Sequence, residues 1–83
     1  MKTTILLSDR AFQLRKKAGL TQEDLGEVLG LTHKSISTVE SGKRKTTIDK
    51  LVLLAEYFHV STDYLLGITD DPTWRGAPFE EEP

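Results

Sequence analysis

The sequence predicts an all-α fold, a compact domain of about five short helices, and three observations predict it. Apolar residues recur at helical spacing along almost the whole chain. Serine or threonine stands where each apolar stripe begins, and glycine stands where most of them end. The length of 83 residues leaves room for one small core and no more.

The first stripe is Ala11, Leu14 and Ala18, with Arg10, Gln13, Arg15, Lys16 and Lys17 on the other faces. Ser8 suits an N-cap and Gly19 a stop, so the first helix is expected over about 9–18. Thr21 and Asp24 have the spacing of a capping box ahead of Leu25, Val28 and Leu29, and Gly30 closes this second helix of about 21–29. A third helix of about 32–40 starts from Thr32 and turns only Ile36 and Val39 inward. Its remaining positions, His33, Lys34, Ser35, Ser37 and Thr38, are polar, and serine and threonine are mediocre helix formers. Intrinsic propensity did not select them.

Thr46 with Asp49 suggests the start of a fourth helix, whose core stripe is Ile48, Leu51, Leu54, Ala55 and Phe58. His59 falls at its end, where the helix dipole favours a cation. Ser61 and Gly67 bound a short fifth helix that returns Leu65 or Leu66 to the core. The chain therefore divides into a helical domain, 1–67, and a flexible acidic tail, 68–83, which contains all three prolines and has no core of its own.

The net charge of -2 conceals an asymmetry. Residues 1–45 carry nine Lys and Arg against five Asp and Glu, a net of +4, while residues 46–83 carry two against eight, a net of -6. Such a molecule orients itself in the field of a polyanion. With no cysteine, disulfides and thiolate metal sites are excluded, which suits a reducing cytoplasm. The opening stretch has only three consecutive apolar residues, Ile5 to Leu7, too few for a signal-peptide core or a membrane span.

Two short helices joined by a glycine-containing turn, the second poor in apolar residues, describe a helix-turn-helix. The stretches "LRKKAGLTQEDLGEVLGLTHKSISTVESGKR" and "LAEYFHVSTDYLLG" resemble the Cro and lambda-repressor-like (XRE-type) helix-turn-helix family, over roughly two thirds of the chain. Gly26 departs from it, since the family usually has alanine there, and glycine costs about 1 kcal/mol in a helix interior.

The resemblance implies a five-helix domain with its third helix in the DNA major groove, serving a small repressor or Cro-like regulator of bacterial or phage origin. It implies base contacts from Gln22, His33, Lys34, Ser37 and Thr38. Lysine suits guanine O6 and N7, and threonine offers a hydroxyl or a methyl to thymine. Phosphate contacts are expected from Thr21, Ser35, Lys43, Arg44 and Lys45. Arg15 and Glu40 match an ion pair that locks the third helix to the first. The expected partners are a palindromic double-stranded operator and a second copy of the chain, and no cofactor is expected.

Enzyme motifs are missing: the sequence holds no HExxH and no GxxxxGK[ST], and His33 and His59 stand far apart without an organising carboxylate or nucleophile. The alternative to DNA reading is a protein-interaction module on the same fold, an antirepressor, antitoxin or co-repressor that binds a second regulatory protein. Trp74 and Phe79, large apolar residues in the acidic tail, are the candidate partner-binding residues for it.

Overall fold

Five helices follow one another in the computed structural model, which describes residues 3–43 and 46–74: α1 (Thr3–Lys17), α2 (Gln22–Leu29), α3 (His33–Ser41), α4 (Ile48–Phe58) and α5 (Thr62–Leu66). The last four are delimited by one device. A helix leaves its first amides without intrahelical partners, and here the side chains of Thr21, Thr32, Thr47 and Ser61 each accept the amide three residues on. At the other end Gly30, Gly42, His59 and Gly67 turn left-handed and stop the helix. His59 does so at φ 56°, uncommon for a residue with a side chain.

Each helix contributes to one core. Leu7 and Ala11 of α1 meet Leu25 of α2, Ile36 and Val39 of α3, Leu54 and Ala55 of α4 and Leu65 of α5. Leu25, Ile36, Leu54 and Leu65 are essentially sealed from water, each stabilising the fold by about 1.5–3 kcal/mol through apolar burial. α2 packs on α3, and α1 lies against both α3 and α5.

The structure corrects four details of the sequence reading. Helix α1 begins at Thr3, so Ser8 is no cap: it lies inside the helix, buried, because Leu7 extends the stripe of Ala11 and Leu14 backwards. In α2 the buried side runs through Leu25, Gly26 and Leu29, which leaves Val28 round the helix at 53% exposure. Thr47, not Thr46, caps α4, since with Ile48 as the first helical residue the third amide is that of Lys50. For the same reason Ile48 precedes the turns of α4 that meet the core, and is 77% exposed.

After Gly67 the chain turns back on the domain. The Ile68 amide donates to the Asp63 carbonyl, the Ser61 amide donates to the Pro72 carbonyl, and Val60 pairs with Thr73 in an isolated antiparallel bridge. Arg10 of α1 holds this strap from the other side. Its guanidinium donates to the carbonyls of Tyr64 and Thr69, pairs with Asp70 at 2.7 Å, and lies 4.1 Å from the centre of the Tyr64 ring. Trp74 ends the strap half-buried, with its ring 5.5 Å from that of His59. Residues 68–74 thus use the core of the domain and form none of their own.

Candidate nucleic-acid interface

Helix α3 divides cleanly between anchoring and display. Ile36 and Val39, three residues apart, are the residues it buries. His33 and Lys34 at its start are exposed, while Ser35, Ser37 and Thr38 are half-buried along its flank. Ser35 is partly occupied locally: its amide donates to Thr32 Oγ1, and the Thr32 hydroxyl donates to Ser35 Oγ. Past the left-handed Gly42, exposed Lys43 donates its amide to Ser41 Oγ, so its ammonium is the group left for an outside partner. Arg44, Lys45 and Phe79 lie outside the described residues.

The turn that aims α3 is unusually close. The Leu31 amide donates to the Gly26 carbonyl at 2.7 Å, and a Cβ on Gly26 would stand 2.7 Å from the Leu31 oxygen and 3.2 Å from two atoms of Thr32. Glycine lets the backbone entering α3 lie directly on α2. At Gly30, φ 73° makes the reversal itself.

Behind this turn an ion pair ties α3 to α1. Arg15 Nε and Nη2 donate to the two oxygens of Glu40 at 2.7 and 3.0 Å, and Nη1 donates to the Leu20 carbonyl at 2.8 Å. Both side chains are below 10% exposed. The hydrogen bond to Glu40 raises the arginine pKa above its ordinary value against the opposing cost of burial, so Arg15 stays charged. Gln22, the first residue of α2, adds a third bond by donating Nε2 to Glu40 Oε1 at 3.0 Å.

The capping box of α2 is complete, with the Thr21 amide donating to Asp24 and the Asp24 amide donating to Thr21 Oγ1. Hydrogen bonding to Thr21, first from its backbone amide and then from its side chain, holds the Asp24 carboxyl below the usual carboxylate range.

Four of the sequence-predicted residues come together: Arg15, Thr21, Gln22 and His33 line one open cleft of about 590 Å³. Lys34, Ser37 and Thr38 continue along α3, and Lys43 follows its end. Trp74 is elsewhere, walling a smaller groove of about 290 Å³ with Val52 and Ala55 of α4 and Asp63 of α5. Lys16, on the same cleft as Gln22 and His33, was not among the candidates, because helical period alone places it only on an outer face. The link from Gln22 to Glu40 was also missed, since eighteen residues separate the two and no local pattern signals it.

Among the described residues, no group of three His, Cys, Asp or Glu side chains could hold a metal ion, and no helix is long and apolar enough to cross a membrane.

Comparison with known proteins agrees with this geometry. Residues 12–65, from within α1 into α5, match the helix-turn-helix family. The chain is 48% identical over 63 residues to an uncharacterized HTH-type transcriptional regulator, YobD, of Bacillus subtilis, covering 76% of this chain and 56% of that protein. It is 39% identical over 61 residues to the HTH-type transcriptional regulator ImmR of Bacillus subtilis, covering 74% and 48%. With the HTH-type transcriptional activator BcrR of Enterococcus faecalis the identity is 37% over 60 residues, covering 72% and 29%. The chain spans about half the length of the first two. The capped pair α2 and α3, the close turn between them and the match over 12–65 place the chain in the helix-turn-helix family of transcription regulators, of the Cro and lambda-repressor-like (XRE) type.

Proposed function

We propose that the domain reads double-stranded DNA with α3 in the major groove and regulates transcription, as a small repressor or Cro-like regulator. The observation that carries this reading is the division of α3, in which Ile36 and Val39 hold the helix while polar groups occupy its outer face. A helix of this kind fits the major groove, where short polar side chains meet base edges. His33, Lys34, Ser37, Thr38 and Gln22 are assigned to bases. Thr21, Ser35 and Lys43 are assigned to phosphates, and Arg44 and Lys45 join them from the sequence. Arg15 and Glu40 serve as the structural pair behind the reading face. The reading is one of binding, with no catalytic step, in the cytoplasm.

A single reading helix covers few base pairs, so the functional unit is proposed to be a homodimer on a palindromic operator, with half-sites about one helical turn apart. Exposed Val52 and Tyr57 on α4 support that side of the molecule as the contact between copies. A second reading, capture of another regulatory protein, draws its support from Trp74 on the groove beside α4 and α5.

Selection of binding sites from random duplex DNA at two salt concentrations tests these readings. DNA reading predicts an enriched palindrome and an affinity that falls linearly on a log–log plot with salt. No enrichment would overturn it in favour of the protein partner.

A further inference from the structure

The groove beside α4 and α5 combines an apolar lining with uncompensated negative charge. Val52, Ala55 and Trp74 supply the first, and Glu56 and Asp63 the second. Trp74 is held there by the strap: Val60 bridges Thr73, the Ser61 amide donates to the Pro72 carbonyl, and the Trp74 ring lies 5.5 Å from that of His59. Ile48, one turn before Val52 on the same edge of α4, extends the apolar strip, and the two are 77% and 39% exposed. Glu56 and Asp63 are exposed as well, and among the described residues neither carboxylate has an ion pair or a hydrogen bond. None of the described basic residues lines the groove.

This pairing of properties decides between occupants. A nucleic acid would bring phosphate to two carboxylates. A two-fold contact between copies centred on the groove would bring like charges together. The chain's own terminal run, Glu80 to Glu82, carries the same sign. At about 290 Å³ the groove is at the lower bound for small-molecule sites, about 300 Å³, and suits side chains better than a metabolite. An apolar side chain meets Val52 and Ala55, while a neighbouring ammonium or guanidinium meets the carboxylates and the indole face.

We propose that this groove docks a cationic segment of a second protein, in which a large aliphatic or aromatic side chain is flanked by lysine or arginine. The proposal rests on the reading of protein capture above and names the chemistry of the partner. No residue of α3 lines the groove. A contact between copies through Tyr57 falls on another edge of α4, since Val52 and Tyr57 are five residues apart and the helix repeats about every 3.6.

Trp74 is the only tryptophan of the chain, so its fluorescence reports on the groove. With the full chain, an amphipathic helical peptide built from leucine and lysine is expected to shift the Trp74 emission saturably. Its counterpart with glutamate in place of lysine is expected to leave the emission unchanged. Glu56→Gln combined with Asp63→Asn should weaken the lysine peptide about fivefold, and Val52→Ser about tenfold, whereas Tyr57→Ser should have no effect. All four side chains are exposed, which guards against misfolding. Equal binding of the two peptides, or an affinity indifferent to these substitutions, would overturn the proposal. Light scattering should give the same mass for Val52→Ser as for the wild-type chain; a dimer that this substitution dissociates would seat a second copy on the groove instead.

Panning of a random peptide library on the full chain separates failure of the proposal from failure of the reading beneath it. Basic peptides carrying a large apolar residue are expected to be enriched and to shift Trp74. Acidic or uncharged peptides, or peptides that bind without moving the Trp74 emission, would leave protein capture standing and overturn the docking proposed here. If no peptide is enriched, both fall together.

Discussion

Gly26 and Leu31 are in backbone contact: the Leu31 amide donates to the Gly26 carbonyl at 2.7 Å, and the space where a Gly26 Cβ would stand is already within 2.7 Å of the Leu31 oxygen. Two effects oppose each other at this position. Alanine would gain about 1 kcal/mol of helix propensity. Its methyl would displace backbone, and overpacking of this kind costs about 1–3 kcal/mol. Because the obstructing atoms are backbone, the clash is expected to win. Gly26→Ala should lower the melting temperature and weaken DNA binding, since the displaced segment is the one that starts α3. A more stable variant with unchanged affinity would show that the turn gives way freely.

Removing one member of the buried pair leaves the other charged and without its partner. Glu40→Ala is expected to cost about 3 kcal/mol, equivalent to a fall in melting temperature of more than about 10 °C for a domain of this size. A double replacement, Arg15→Met with Glu40→Leu, should recover much of that stability while leaving DNA binding impaired. Thermal melts and titration against the selected operator separate the two effects.

Arg10 and Asp70 form an ion pair whose partners are unequal. Asp70 is exposed, with a side chain 97% accessible, and Asp70→Asn should change stability by less than about 0.5 kcal/mol. Arg10 also donates to two carbonyls and lies over Tyr64, so Arg10→Gln should cost clearly more and speed proteolysis within 68–74. Equal effects from the two substitutions would show that the strap depends on the charge pair alone.

Asp24 supplies a pH dependence whose sign follows from its lowered folded-state pKa. Its contribution to stability is present above the unfolded carboxylate value of about 3.9, and is lost as pH falls through the lower folded value. Asp24→Asn should therefore flatten the acid end of the stability curve and change little near neutrality. Melts at several pH values between 2 and 7, a range of about 5 units, compare the two proteins.

Lys34 and Lys43 should fail in different ways. Lys34→Ala is expected to relax one base position at a cost of about 1–3 kcal/mol, whereas Lys43→Ala should weaken all sequences alike and reduce the salt slope by about 1. A salt slope unchanged in Lys43→Ala would remove it from the phosphate contacts.

The helical elements were legible because their signals are local. Thr21 with Asp24, Thr32, Ser61 and the terminating glycines act within one turn of themselves, and the stripe of Ile36 with Val39 can be counted along the chain. The pairing of Arg15 with Glu40 was legible only through the resemblance to a family, since twenty-five residues separate them. Other features depended on what meets what in space. Val28 and Ile48 have the right spacing and no core opposite them. The start of α1 was misplaced because Ser8 looks like a cap until Gly42 is found packed against it. The engagement of Arg10 with Thr69 and Asp70, across about sixty positions, leaves no trace in period or composition.

Helix α3 is fixed at both ends by Thr32 and Gly42 and from within by Ile36 and Val39, and none of these lies on its outer face. The identities of Lys34 and Ser37 are thus close to neutral for folding. On the proposed DNA reading, descent with changed regulatory targets needs only substitutions at such positions: one scaffold can be inherited unaltered while the message it recognises drifts.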